Sequence, residues 1–179
     1  ILCHLAAKAR GDFRILINAV LCRDKDLAPH FLPVDFSPGK VAMKNNVAMG
    51  HRAREAMAAD IPVLIFPSGF VSTAGKLGTG QVVEAPWTTF AAKLIRDARA
   101  NVVPIFFHGQ NSRAFHIASH VSESLRMAFL IREAKARFGT RFDVTIGDTL
   151  PYESLEGIGG RKALTRYLYG AVQKLGRVQ

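Results

Sequence analysis

Several groups of residues in this sequence have the types and spacing that chemistry needs. His30-Phe31-Leu32-Pro33-Val34-Asp35 is a His-x4-Asp pair, the combination in which an imidazole takes a proton and a carboxylate orients the ring. Ser68, in Phe66-Pro67-Ser68-Gly69, places a hydroxyl in a turn. His108, His116 and His120 lie close in sequence to Gln110, Asn111 and Arg113, the polar groups that end an apolar run. Each has a bland reading beside the chemical one. His30 and Asp35 fall on a strand-like stretch, where an odd separation sends the two side chains to opposite faces and prevents a base–orienter pair. His4 with Asp12 fits no better. Ser68 lacks the Gly-x-Ser-x-Gly elbow of a hydrolase nucleophile. The three histidines lack metal-ligand spacing and an obvious carboxylate partner, so they read as solvated or packing residues.

The elements that must position these groups alternate. Ile1 to Arg10 reads as the end of a helix, with Ile1, Leu2, Leu5, Ala6 and Ala9 on one stripe and Gly11 just past it. Arg14 to Leu21 and Phe31 to Phe36 are strand-like, and Pro38-Gly39 makes a turn. Met43 to Ala59 carries a helical stripe at Met43, Val47, Gly50, Ala53 and Met57. Ile61 to Phe66 is a short apolar strand that Pro67 ends by withdrawing a ladder donor. A second helix follows Pro86-Trp87, with Phe90, Ala91, Leu94, Ile95 and Ala98 on its stripe. Trp87 suits the lining of an apolar groove, a grip on an interface, or the packing of that helix entry. Val102 to Phe107 is the next strand. Ser122 to Arg137 is helical, Phe142 to Ile146 alternates like a strand, and Arg161 to Leu175 closes the chain with Leu164, Leu168, Ala171 and Leu175 buried.

Strand, helix, strand over 61–107 predicts a right-handed βαβ unit with parallel strands. The loops after Phe66 and after Phe107 would then open on one sheet edge and wall a single cleft, because ligands in such sheets sit beyond the carboxyl ends of the strands. The expectation is one α/β domain over residues 1–179, a mixed and mostly parallel sheet flanked by helices.

Composition fits that reading. The 179 residues are 49% hydrophobic and 21% charged, a globular balance. The formal net charge of +10 points to an anionic partner such as a membrane surface or an acidic carrier protein. The basic residues are scattered and form no tail-like arm, so no nucleic-acid partner is expected. The face carrying Arg126, Arg132, Lys135 and Arg137 is the candidate for contact with anionic lipid or carrier. Cys3 and Cys22 read as two buried thiols. No apolar stretch is long enough to span a bilayer.

Phe66-Pro67-Ser68-Gly69 and, further on, Val103-Pro104-Ile105-Phe106 resemble two ordered blocks of the glycerophospholipid (lysophospholipid) acyltransferase family, Phe-Pro-Glu-Gly and Val-Pro. Ile15-Leu16-Ile17-Asn18, Phe31-Leu32-Pro33-Val34-Asp35, Pro86-Trp87-Thr88-Thr89-Phe90, Gly109-Gln110-Asn111-Ser112-Arg113, and Leu125-Arg126 running on to Leu130-Ile131-Arg132-Glu133 are similar to its bacterial hemolysin-type branch. That branch is related to the enzymes that acylate lyso-ornithine lipid. The resemblance covers nearly the whole chain.

The resemblance implies transfer of a fatty acyl group from an acyl carrier protein or coenzyme A thioester to a lysolipid or amino-lipid acceptor, with no bound cofactor or metal. It implies a peripheral place on the cytoplasmic face of the inner membrane. The family's His-x4-Asp belongs at the start of a helix ahead of all these blocks. It is therefore expected upstream of Ile1, none of the catalytic residues is expected within 1–179, and this stretch alone is expected to be silent. The acceptor wall is implied at Phe66, Pro67, Ser68, Gly69, Val103, Pro104, Gln110, Asn111 and Arg113. Ser68 stands where the glycerol-phosphate branch has Glu, and no Arg follows in the same loop. A phosphate acceptor normally meets a bidentate Arg, and only Lys76 or Arg113 could substitute. The expectation is thus an amino-acid lipid or another lysolipid. Lysophosphatidic acid acylation is the other enzymatic reading, and a non-catalytic membrane-surface or nucleic-acid module is the reading from another class.

Overall fold

Arg14–Asn18 (β1), Phe31–Val34 (β2) and Val63–Leu64 (β3) lie side by side in the order β2-β1-β3, all parallel. The register sets Ile15 beside Phe31 and Leu64, and Leu16 beside Leu32. The protein is seen in a computed structural model that describes residues 1–19, 22, 28–35, 37–69, 72, 84–109, 111–136 and 139–177. Within its helices, the side chains of residues 113, 118, 123, 124, 126, 127, 130, 131 and 134 are outside that description. The chain divides into two compact units. One comprises Ile1–Gly69, Trp87–Val102 and Thr149–Tyr167; the other comprises Phe70–Pro86, Val103–Asp148 and Leu168–Gln179.

In the first unit, strand alternation sorts the side chains onto two faces. Ile15, Phe31 and Leu64 pack with Phe13 on one side, beneath Cys3, Ala6 and Ala7 of Leu2–Arg10 (α1). Leu16, Leu32, Val63 and Ile65 pack on the other against Lys40–Ala58 (α2) and Phe90–Ala98 (α3) through Ala53 and Leu94. The fold is therefore α/β, a parallel sheet flanked by helices. Pro33 sits in an edge strand, the place where a missing N–H is tolerated. Cys3 and Cys22 are free, half-buried thiols against the Phe13 cluster, and burial raises both above the ordinary thiol range. The chain returns to this unit through an antiparallel bridge, Val102 to Leu150. Tyr152–Glu156 (α6) and the start of Gly160–Leu175 (α7) follow, with Leu155 and Leu164 fully buried.

The predicted stripe of α2 is only half right. Ala42, Gly50, Ala53 and Ala56 are buried, whereas Met43 is 65% and Val47 57% exposed. The reason is where α3 begins. Its first residue, Phe90, meets α2 at Gly50, where an added Cβ would lie 3.9 Å from the ring. The earlier turns of α2 thus extend beyond the described part of their neighbour.

In the second unit Ile105–Phe107 (β4) pairs antiparallel with Val144–Ile146 (β5), and Arg113–Val121 (α4) packs on Glu123–Ala136 (α5). Here the βαβ expectation over 61–107 is corrected. β3 pairs with β1, β4 pairs with β5, and no β3–β4 ladder exists among the described residues. Both sides of Pro104 face the one antiparallel segment 144–150: Val102 bridges Leu150, Pro104 O accepts from Gly147 N–H, and Ile105 pairs with Ile146.

Candidate acyl-transfer site

Because β1, β2 and β3 are parallel, Asn18, Asp35 and Phe66-Pro67-Ser68-Gly69 all leave the sheet at one edge. The last of these is a closed turn, with Gly69 N–H donating to Phe66 O at 2.9 Å. Gly69 has φ +70, a left-handed value that favours glycine there. The entry to α3 holds the turn, since Thr88 donates to Pro67 O from both its N–H (3.0 Å) and its Oγ1 (3.1 Å). The turn therefore has an outside and an inside. Phe66 is 52% exposed, while Ser68 is 4% exposed. A hydroxyl at that depth is not a nucleophile displayed to a substrate. At the same edge, Asn46 of α2 donates to Asp35 O and accepts from Asp35 N–H, pinning the end of β2 to the helix.

The second expected block lies in the other unit. Val103 is 49% exposed, and Pro104 is buried, its carbonyl accepting from Gly147 N–H at 2.9 Å. Beyond β4, His108 bonds Thr145 Oγ1 through Nε2 at 2.7 Å, and its N–H donates to Asp143 O at 3.0 Å. Asn111 is half-buried, Arg113 is the first residue of α4, and Gln110 lies outside the described residues. Glu133 of α5 accepts from both the N–H and the hydroxyl of Ser112, which fixes the start of α4. With β3 and β4 in separate sheets, the reason for expecting the loops after Phe66 and Phe107 on one edge does not hold.

A family model described as acyltransferase matches residues 3–169 of this chain. The chain belongs to the acyltransferase family. It is 28% identical over 172 residues to the lyso-glycine lipid O-acyltransferase of Bacteroides thetaiotaomicron, a match over 92% of this chain and 60% of that protein. To the lyso-glycine lipid O-acyltransferase of Phocaeicola vulgatus it is 25% identical over 172 residues, covering 92% of this chain and 58% of that protein. The chain thus spans about three fifths of the length of these curated relatives. No solved structure matches it.

Within this acyltransferase chain, His30 and Asp35 are not partners. His30 ends a 3-10 turn, Ala28–His30, stacked on Phe13 with ring centroids 4.5 Å apart. Its Nδ1 lies 3.1 Å from Phe13 O and 3.2 Å from Asp12 Oδ1. Asp35 instead accepts from Ser37 N–H at 2.8 Å, which holds its carboxyl below the usual carboxylate range. His30 fastens the strand start to Asp12, and Asp35 shapes the turn into α2. Of the other histidines, His108 is bonded as above, His116 is buried edge-on to Phe115, and His120 is exposed. Among the described residues no group of three or more His, Cys, Asp or Glu side chains could hold a metal ion. No helix among them is long and apolar enough to cross a membrane.

Sequence reading missed two features around the site. Helix α4 went unseen because its start looked like the tail of a loop; the buried pair Phe115-His116 one turn in was the available signal. The Thr88 clamp on Pro67 was also missed, since a contact twenty-one residues apart leaves no local pattern.

Proposed function

We propose that this acyltransferase moves a fatty acyl group from an acyl carrier protein or coenzyme A thioester to the hydroxyl of an amino-acid lysolipid, forming an ester. The thioester C–S bond breaks, an ester C–O bond forms, and the acceptor's proton passes to a general base while the departing thiolate is protonated. The base is the His of a His-x4-Asp expected ahead of Ile1, with its Asp orienting the imidazole. The observation that carries the acceptor class is the similarity, over 92% of the chain, to two proteins named lyso-glycine lipid O-acyltransferase. The residue type at Ser68 supports it, because the glycerol-phosphate branch has Glu at this position and Ser brings no charge there.

The reaction takes place at the cytoplasmic face of the inner membrane. A net charge of +10 favours residence at an anionic surface, each nearby Lys or Arg contributing roughly 1 kcal/mol. Arg132 and Lys135, both exposed on α5, are the cations that this reading assigns to anionic lipid or an acidic carrier.

The test is acyl transfer by the full-length protein from labelled acyl carrier protein and acyl-coenzyme A to lyso-glycine lipid, lyso-ornithine lipid and lysophosphatidic acid. Labelled diacyl product from an amino-acid lysolipid is expected, and it should disappear when the upstream His is replaced by Ala. Preference for lysophosphatidic acid refutes the acceptor assignment.

A further inference from the structure

The first unit holds a groove of about 440 Å³ along α2 and the beginning of α3, within the size range of small-molecule sites. Met43, Val47 and Gly50 line one side, Phe90 and Leu94 the other. It is built from the part of α2 that extends beyond α3, which is why Met43 and Val47 are exposed although they continue the helix's apolar stripe. Ser37 and Gly39 also line the groove, so it reaches the segment that follows β2. From Lys40 to Arg54 the helix runs about 21 Å at 1.5 Å per residue, the length of an extended long fatty acyl chain. Exposed apolar surface arranged as a channel, not scattered singly, marks a binding site.

Charge selects the occupant. Of the residues that line the groove, Arg54 and Lys93 are cations and none is Asp or Glu. At the rim, Arg54 Nη1 and Lys93 Nζ both reach Asp97 Oδ2, at 3.1 and 2.5 Å, and Arg54 Nη2 donates to His51 Nδ1 at 2.6 Å. Two cations share one carboxylate there, so positive charge remains in excess. We infer that the groove between α2 and α3 seats the alkyl chain of an anionic single-chain lipid, with the cationic rim holding its head. The inference rests on the lysolipid reading above and assigns the acceptor's chain to residues that reading does not use. Gly50 lines the groove beside Phe90, where an added Cβ would lie 3.9 Å from the ring.

The test measures binding of N-palmitoylglycine to the full-length protein by calorimetry, beside palmitoylethanolamide (same chain, no charge) and N-acetylglycine (charge, no chain). N-palmitoylglycine should bind, palmitoylethanolamide more weakly, and N-acetylglycine not at all. Gly50→Leu fills the channel from a position where a Cβ makes only ordinary contacts. It should weaken N-palmitoylglycine binding about tenfold or more, since each excluded methylene forfeits roughly 0.8 kcal/mol of burial. Val47→Asn, on an exposed helical surface where folding is insensitive, should act in the same direction. Lys93→Gln should weaken the charged probe and spare the neutral one. Unchanged binding by Gly50→Leu and Val47→Asn overturns the groove even if acyl transfer is observed. Conversely, loss of binding in both variants supports it even if no lysolipid is acylated. If the variants lose flotation with phosphatidylglycerol vesicles but still bind N-palmitoylglycine, the surface docks a bilayer and the inference is wrong.

Discussion

Ser68 is the position at which the acceptor question is most directly open to perturbation. A Glu placed there enters a site 4% exposed to solvent. Burial disfavours the ionised carboxylate, so its folded-state pKa must rise above the ordinary value of about 4.3. A raised carboxyl pKa destabilises the folded state as pH climbs through and beyond the unfolded value, and the penalty vanishes below it. At pH 7 the ionisation contribution cannot exceed the work of keeping the group protonated, about 1.36 kcal/mol for each of the roughly 2.7 units between 4.3 and 7, or about 3.7 kcal/mol. Ser68→Gln controls for size, so the Glu–Gln difference isolates charge. Urea unfolding of both variants should show near-equal stability at pH 4 and a deficit for Ser68→Glu of about 2–3.7 kcal/mol at pH 7. Equal stability at pH 7, or a more stable Glu variant, would mean that a cation faces this position. The site would then be built for the charged wall of the glycerol-phosphate branch, and the amino-acid lysolipid reading would lose its structural support.

Two further outcomes test the packing and the electrostatics. Gly176→Ala sets a methyl 2.5 Å from Phe106 Cζ and should lower stability by about 1–3 kcal/mol through overpacking, whereas Gly170→Ala, with nothing within 4 Å in its helix, should be neutral or stabilise by up to about 1 kcal/mol; chemical denaturation of the pair decides. The Arg14 side chain and Phe13 N–H both bond Asp12 and hold its carboxyl below the ordinary range. That stability is present above the unfolded carboxylate pKa of about 3.9 and lost as pH falls through the lower folded value. Unfolding midpoints from pH 7 to pH 2 should therefore show a flatter acid limb for Asp12→Asn than for the parent chain, and parallel acid limbs would contradict the pairing.

Where one residue's neighbours along the chain decide its environment, the sequence was readable. The alternation Ile15-Leu16-Ile17 and Phe31-Leu32 does place successive side chains on opposite sheet faces, and the stripes of α3 and α7 bury Leu94, Ile95, Leu164 and Leu168 as their period predicts. Partner choice was not readable. The run 102–107 has strand composition throughout, but the neighbour it joins is a segment some forty residues on. An apolar strand carries no mark of a parallel or antiparallel neighbour. The His30/Asp35 spacing was legible as a geometric mismatch. That His30 would turn to Asp12 was not, because their pairing runs through the β1–β2 register.

The α2 stripe is the more instructive discrepancy. Period alone states what a helix is able to bury; the length and starting point of its neighbour decide what it does bury. With α3 meeting α2 only from Gly50 onward, Met43 and Val47 keep the chemistry of core residues in the setting of surface ones. Large side chains left open in this way form the exposed apolar lining of the groove between α2 and α3. That lining is assigned above to the alkyl chain of a single-chain lipid, and the binding tests on Gly50→Leu and Val47→Asn decide it.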